Sequence, residues 1–350
     1  MFKRVLSLAL AFVFTLSLAA CGNNTAGTQQ AKTEAPKAEA AKSEAPAATP
    51  AAKSESKVPQ GDIVIAVVPQ QLGNPVFLDA KEGAEKAAKT LGVKLEWAAP
   101  VKADAPSQVE VVEGLIAKKV KGIAISCNHP EALKAVINKA VDAGIQVSTF
   151  DADSPDSKRA FYAGTMNYEA GKICGQKLVE ITKGKGTVAL LTGNLGHFAL
   201  EARINGFKEA IKGTEIKIVT TQACEDDLNK AIEQVEAYTK SNPALDSWFF
   251  VGGWPFFAPP QSLNNLRNWK KNPGKTIVTM DSFYPMLKYF DENMINVAVG
   301  QDFEAMGYKS VENLVKLIKG EQIAGKTIDT GVSIVTPENY KEYKASKKPW

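Results

Sequence analysis

The residues best suited to chemistry in this chain are polar groups that follow short apolar runs. Asp151 ends the run Ile145-Gln-Val-Ser-Thr-Phe150, and Asp153 stands two residues on. Asn74, Asn128, Asp281 and Gln301 end or closely follow comparable runs, and Arg203 lies in the first turns of a segment with helical periodicity. Phe77, Trp254, Phe256, Phe257 and Phe283 accompany them. Carboxylates accept hydrogen bonds from hydroxyls, guanidinium and amide groups donate them, and rings pack on C–H faces. Such a mixture suits a sugar or polyol. Each charge-assisted bond contributes about 1.5–3 kcal/mol, so three or four with one stacked ring reach the roughly 8 kcal/mol of a micromolar complex.

Each residue also has a plainer reading. Asp151, Asp281 and Asn74 could cap helices. Arg203 could form a surface ion pair, and Gln301 could bond only to backbone. Trp254 and Phe77 could belong to the core. Gly252-Gly253 before Trp254 and Pro255 after it mark a special loop there.

Motifs for catalysis do not assemble. The two histidines, His129 and His197, join no nucleophile elbow or metal-type spacing, so neither an enzyme nor a metal or cofactor is expected. Gly320-Glu-Gln-Ile-Ala-Gly-Lys-Thr327 has phosphate-loop spacing but follows a helical pattern and leads into a strand. The reverse order is needed to cradle phosphates, so it reads as a helix end and a turn. Gly193-Asn-Leu-Gly-His197 likewise reads as a turn between strand and helix.

The elements that must position these residues alternate strand and helix from Ile63 to Phe150, and again from Phe161 onward. That order predicts two doubly wound parallel-sheet domains of the α/β class, whose ligands bind outside the carboxyl ends of strands. Periodicity alone leaves open where the chain crosses between them. A net charge of +4, from 42 basic and 38 acidic residues, argues against a nucleic-acid partner.

The N-terminus has a different character. Lys3 and Arg4 precede an apolar run from Val5 to Ala19, which reads as a signal peptide over 1–20. Leu18-Ala19-Ala20-Cys21 resembles the bacterial lipobox, which implies a diacylglyceryl thioether on Cys21 and attachment to a membrane. Residues 21–60 carry this cysteine and a linker rich in Ala, Pro, Lys and Glu that cannot bury a core. As a flexible coil its mean span is roughly 35 Å. Cys127, Cys174 and Cys224 lack metal spacing and read as buried small hydrophobes, with a disulfide left open.

Taken in register, these residues resemble the ribose-binding protein family of bacterial ABC importers, the type I periplasmic binding proteins. Gly73-Asn74-Pro75-Val76-Phe77 is similar to the family's N-N-P-F-F, Thr149-Phe150-Asp151 to its T-L-D, and Arg203-Ile-Asn-Gly-Phe207 to its R-x-x-G-F. Val278-Thr-Met-Asp281 and Val297-Ala-Val-Gly-Gln301 match the later strand-end Asp and the Gln near the hinge. The resemblance implies a hinge of three crossovers, near residues 164–165, 301–302 and 329–330. The N-terminal subdomain would then comprise 61–164 with 302–329, and the C-terminal one 165–301 with 330–350. It also implies that Asn74, Phe77, Asp151, Arg203, Asp281 and Gln301 hold a sugar or polyol, and that a monomer delivers it to an ABC transporter permease outside the cytoplasm. Asn128 at its strand end, Trp254 in its special loop and Asp153 beside Asp151 complete the expected ligand-binding set. Presentation of a sugar or furanosyl signal to a receptor is the alternative.

Departures from the family pattern limit the choice of sugar. Ala152 stands where ribose binders carry Arg, Gly253 where they carry Asn, and a family aromatic falls near Asp226. The pair Asp151 and Asp153 is similar to relatives that bind a furanosyl signalling molecule through paired acids.

Overall fold

A computed structural model describes residues 62–347 apart from Ala103, together with Pro349. The expected signal peptide, Cys21 and the linker lie outside the described residues. Among those described, no helix is long and apolar enough to cross a membrane.

The first half of the chain runs β1 (Val64–Val68), α1 (Phe77–Leu91), β2 (Lys94–Trp97), α2 (Ala105–Ala117), β3 (Gly122–Ile125), α3 (Pro130–Asp142), β4 (Gln146–Phe150) and β5 (Phe161–Gly164). It continues through α4 (Asn167–Thr182), β6 (Lys185–Thr192), α5 (Phe198–Ile211), β7 (Glu215–Ala223), α6 (Leu228–Ser241), β8 (Ser247–Phe250), α7 (Asn264–Lys270) and β9 (Thr276–Met280). The short α8 (Lys288–Asp291), β10 (Val297–Gln301), α9 (Phe303–Ile318), β11 (Thr327–Asp329), β12 (Val332–Val335) and α10 (Tyr340–Ser346) complete it. The inner strands are apolar and almost wholly buried, as expected for sheets covered on both faces, whereas the edge strands β2, β7, β11 and β12 are partly exposed.

These strands form two six-stranded sheets, ordered β11-β5-β4-β3-β1-β2 and β12-β10-β9-β8-β6-β7. The first is parallel throughout, as its registers Val68↔Ile125 and Ile125↔Thr149 illustrate. In the second only β12 runs antiparallel, against β10. The protein is therefore an α/β structure of two parallel-sheet domains, and the chain changes sheet after β5, after β10 and after β11.

Helix pairs clamp each sheet at close range. A Cβ on Gly171 would stand 1.9 Å from the Arg203 carbonyl oxygen, and one on Gly206 1.9 Å from that of Tyr168. Only glycine allows α4 and α5 to cross so tightly, and that crossing fixes the base of Arg203. Gly83 and Gly307 do the same for α1 and α9. In the first domain, Phe77 meets Phe150 and Phe303 edge-on, with centroids 6.2 and 6.0 Å apart.

The Gly320–Thr327 segment follows α9 and enters β11, with Gly320 in the left-handed region (φ 78°). It is a helix end and a turn, not a phosphate cradle. Cys127, Cys174 and Cys224 are buried free thiols. Burial pushes all three up, Cys224 to about 11.

Candidate functional site

A cavity of about 740 Å³ opens at the carboxyl ends of both sheets, within the size range of small-molecule sites. Eight of the nine sequence-derived candidates line it: Asn74, Phe77, Asn128, Asp151, Arg203, Trp254, Asp281 and Gln301.

Asp151 follows β4 in the left-handed region (φ 57°), which Asp tolerates better than most residues. Its amide donates to the Ala163 carbonyl at 3.3 Å, and the Tyr162 hydroxyl donates to its own carbonyl at 2.9 Å. The Ser126 hydroxyl donates to Oδ2 at 2.7 Å and in turn accepts from the Gln70 amide at 3.2 Å. That leaves Oδ1 able to accept a ligand hydroxyl. Burial pushes the carboxyl up to about 6; Ser126 and Arg203 draw it down, and the Asp281 charge adds to the rise.

Asp153 takes a different place from the one expected. The left-handed turn at Asp151 and the bridge between Phe150 and Ala152 end the two-residue alternation. The two acids therefore have different surroundings, and only Asp151 lines the cavity. Both Asp153 oxygens are taken by Arg159, at 2.5 and 2.6 Å, and Oδ1 also accepts from Thr149 and from the Ser154 amide. Asp153 is a brace for the loop that carries Asp151, and it does not line the cavity.

The two asparagines are partly committed. Asn74 Oδ1 accepts from the Val76 amide at 3.2 Å, which supports the turn into α1. Asn128 spends its amide hydrogens on the carbonyls of Gln70 and Asp104, at 3.1 and 3.3 Å. It thus offers the cavity an acceptor rather than a donor.

On the other wall, Arg203 is buried on α5. Its Nε donates to Asn167 Oδ1 at 2.8 Å and Nη1 to the Val251 carbonyl at 3.0 Å. Nη2 remains to serve a ligand. Asp281 mirrors Asp151: it follows β9 at φ 69°, and its amide donates to the Val299 carbonyl at 2.9 Å. Its carboxylate accepts from the Gly253 amide at 2.9 Å and from Gln301 Nε2 at 2.8 Å. Gln301 therefore orients Asp281 and keeps its carbonyl oxygen for other donors.

Trp254 occupies space that glycine provides. A Cβ on Gly252 would lie 2.7 Å from its ring, and one on Gly193 2.8 Å. Phe257, Phe283 and Phe303 continue the aromatic wall, with centroids 5.6 and 5.5 Å apart. Phe256 instead packs in the core against Phe250 and Tyr289.

Sequence reasoning missed several lining residues, among them Gln70, Asn194, His197 and Asp226. Three of them obey the rule that found the others, since Gln70, Asn194 and Asp226 follow the ends of β1, β6 and β7. Among the described residues no His, Cys, Asp and Glu groups converge as a metal site.

Residues 65–322 match the family model described as "Periplasmic binding protein domain". The chain is similar to the D-allose-binding periplasmic protein of Escherichia coli, with 27% identity over 74% of this chain and 85% of that one. It is also similar to a solved ABC transporter solute-binding protein from Burkholderia graminis in complex with D-arabinose. That likeness has 35% identity and a TM-score of 0.75, and covers 81% of this chain and 98% of the other. GanP, a glucose-galactose binding protein from Geobacillus stearothermophilus, is 28% identical with a TM-score of 0.72, over 79% and 98% of the two chains. The chain belongs to the periplasmic binding protein domain family, as a type I sugar-binding protein of the ribose-binding branch that serves ABC importers.

Proposed function

We propose that this protein is a lipid-anchored, extracytoplasmic receptor that captures a sugar or polyol between its two closing domains and hands it to a permease. One observation carries the reading: Asp151 at the end of a strand of the first sheet, Asp281 and Gln301 at strand ends of the second, and Arg203 on α5 between two strands of the second line one cavity beside an aromatic wall. Asp151 accepts hydroxyl protons, Arg203 donates to ring or hydroxyl oxygens, and Trp254 and Phe257 cover a C–H face. Because the groups come from both domains, only a closed form engages them all, and ligand shifts the population toward it. The three changes of sheet act as the hinge, with 61–164 and 302–329 on one side and 165–301 and 330–350 on the other. No catalytic step is assigned.

A thermal-shift screen of ligand-stripped protein against pentoses, hexoses, polyols and inositols tests this reading, since a bound ligand raises apparent stability by mass action. A stabilising sugar that Asp151→Ala weakens at least tenfold is the expected result. Sugar binding insensitive to that substitution would move the site elsewhere. For the anchor, Cys21→Ser should release the protein from membranes, and continued membrane association would refute lipid attachment.

A further inference from the structure

The charges around the cavity do not balance. Asp151, Asp226 and Asp281 line it, and Arg203 is the only Lys or Arg among its lining residues. His197 adds no full compensating charge, because burial pushes its imidazole below the usual range. Asp281 and Asp226 are held by neutral donors: Gly253 and Gln301 for the first, Asn194 and Trp254 for the second. Neutral donors position a carboxylate without cancelling its charge; burial pushes the Asp226 carboxyl above its usual range, and His197, Trp254 and Asn194 draw it partly back.

The corner around Asp226 is a built feature. Its backbone is left-handed (φ 58°), as is that of Glu225 before it (φ 55°). A side chain at Gly193 would stand 2.3 Å from Asp226 Oδ1 and 2.8 Å from the Trp254 ring. His197 Nδ1 is buried there without a hydrogen-bond partner, an orphan that calls for one. Asp226 is thus a carboxylate at the edge of the Trp254 indole and near an unused imidazole nitrogen, with no Lys or Arg lining the cavity beside it. A carboxylate lining the cavity is suited to a ligand ammonium through a charge-assisted hydrogen bond.

We infer that the cleft selects by charge, preferring a sugar that carries a protonated amino group, seated at Asp226, and rejecting acidic sugars. This rests on the sugar-binding reading and refines it. The ammonium would be the missing counter-charge, while the uncharged hydroxyls would be read by Asp151, Arg203 and Asp281.

Calorimetry on ligand-stripped protein near pH 7, with matched sets of a hexose, its 2-amino derivative and its uronic acid in the gluco, galacto and manno series, tests the inference. Exchanging a neutral bond for a charge-assisted one is worth about tenfold, so in at least one series the amino sugar should bind about tenfold tighter than its parent, with the uronate weakest. Asp226→Asn should bring the ratio of amino to neutral affinity close to one. Rising ionic strength should weaken the amino sugar more than the parent. Neutral sugars that bind as tightly as their amino partners, or a ratio unmoved by Asp226→Asn, would overturn the inference and leave the sugar reading intact. Binding of none of the sets would overturn the inference, while the sugar reading would then stand or fall by the thermal-shift screen of pentoses, polyols and inositols.

Discussion

Replacing Asp151 with Asn should strengthen the empty protein and weaken the loaded one. Raising a carboxyl from its ordinary 3.8 to about 6 by burial corresponds to roughly 3 kcal/mol against the ionised form. The cleft admits solvent, so about 1–2 kcal/mol of this should survive as a folding cost near pH 7. Asn keeps the shape, can still accept from the Ser126 hydroxyl, and suits the left-handed backbone at least as well. The ligand-stripped variant should therefore melt about 2–6 °C higher than the parent at neutral pH. The pH dependence isolates the charge from the backbone effect. Between about pH 4 and 6 the native carboxyl holds more proton than the unfolded one, so the parent loses stability as pH rises through that window. In the variant this component of the slope should vanish. Affinity runs the other way: ligand hydroxyls need the ionised acceptor, so binding by the parent should weaken as pH falls below about 6, and the variant should bind at least tenfold more weakly at neutral pH. Scanning calorimetry without ligand and titration with the sugar found by screening read both quantities. A variant that melts lower at neutral pH, or that keeps the parent's slope between pH 4 and 6, would refute the argument.

Asp153→Asn should behave in the opposite sense. Its ion pair with Arg159 is largely buried, with side-chain exposures of 16% and 9%, so breaking it should cost about 2–4 kcal/mol while sugar affinity shifts less than about threefold; a large affinity loss at unchanged stability would return Asp153 to the site. Gly193→Ala should leave the fold standing, because the side chains it meets can move. It should cut affinity by about tenfold by displacing Asp226 and Trp254, a cost of about 1.4 kcal/mol, and unaltered binding would show that this corner takes no part in recognition.

Much of this architecture was legible in the order of residues because parallel sheets have strong sequence signatures. Buried β-branched runs alternating with helical periodicity leave little choice of class, and the same runs mark the strand ends where ligands sit. That rule singled out Asp151, Asp281 and Gln301, which line the cavity. Asp153 was misplaced because the rule assumes that alternation continues past Asp151, whereas the backbone turns left-handed there, a conformation that an Asp does not announce. Gln70 and Asp226 were legible in principle, but a turn-rich segment offers several polar residues and only packing decides which of them faces inward. Ser126 acts through Asp151 across the sheet, a relation that depends on the register of β3 against β4 and not on proximity along the chain.

The two strand-end aspartates show what the fold contributes beyond placing residues. Asp151 and Asp281 adopt the same left-handed backbone, with φ of 57° and 69°, and each donates its amide to the carbonyl of the next strand, Ala163 or Val299. For a residue with a Cβ this conformation costs about 1–2 kcal/mol, and it recurs at the equivalent point of each sheet. A regular strand would send the side chain above or below the sheet, whereas the left-handed step turns it outward from the carboxyl edge into the cavity. The neighbouring bonds then differ. Ser126 pins one oxygen of Asp151 and leaves the other for a ligand, while Gly253 and Gln301 occupy both oxygens of Asp281. On this geometry Asp151 is poised to bind without rearrangement, and Asp281 must share or exchange partners as the ligand arrives. Because Gln301 ends β10, immediately before one of the changes of sheet, such an exchange would act directly on a segment proposed as part of the hinge.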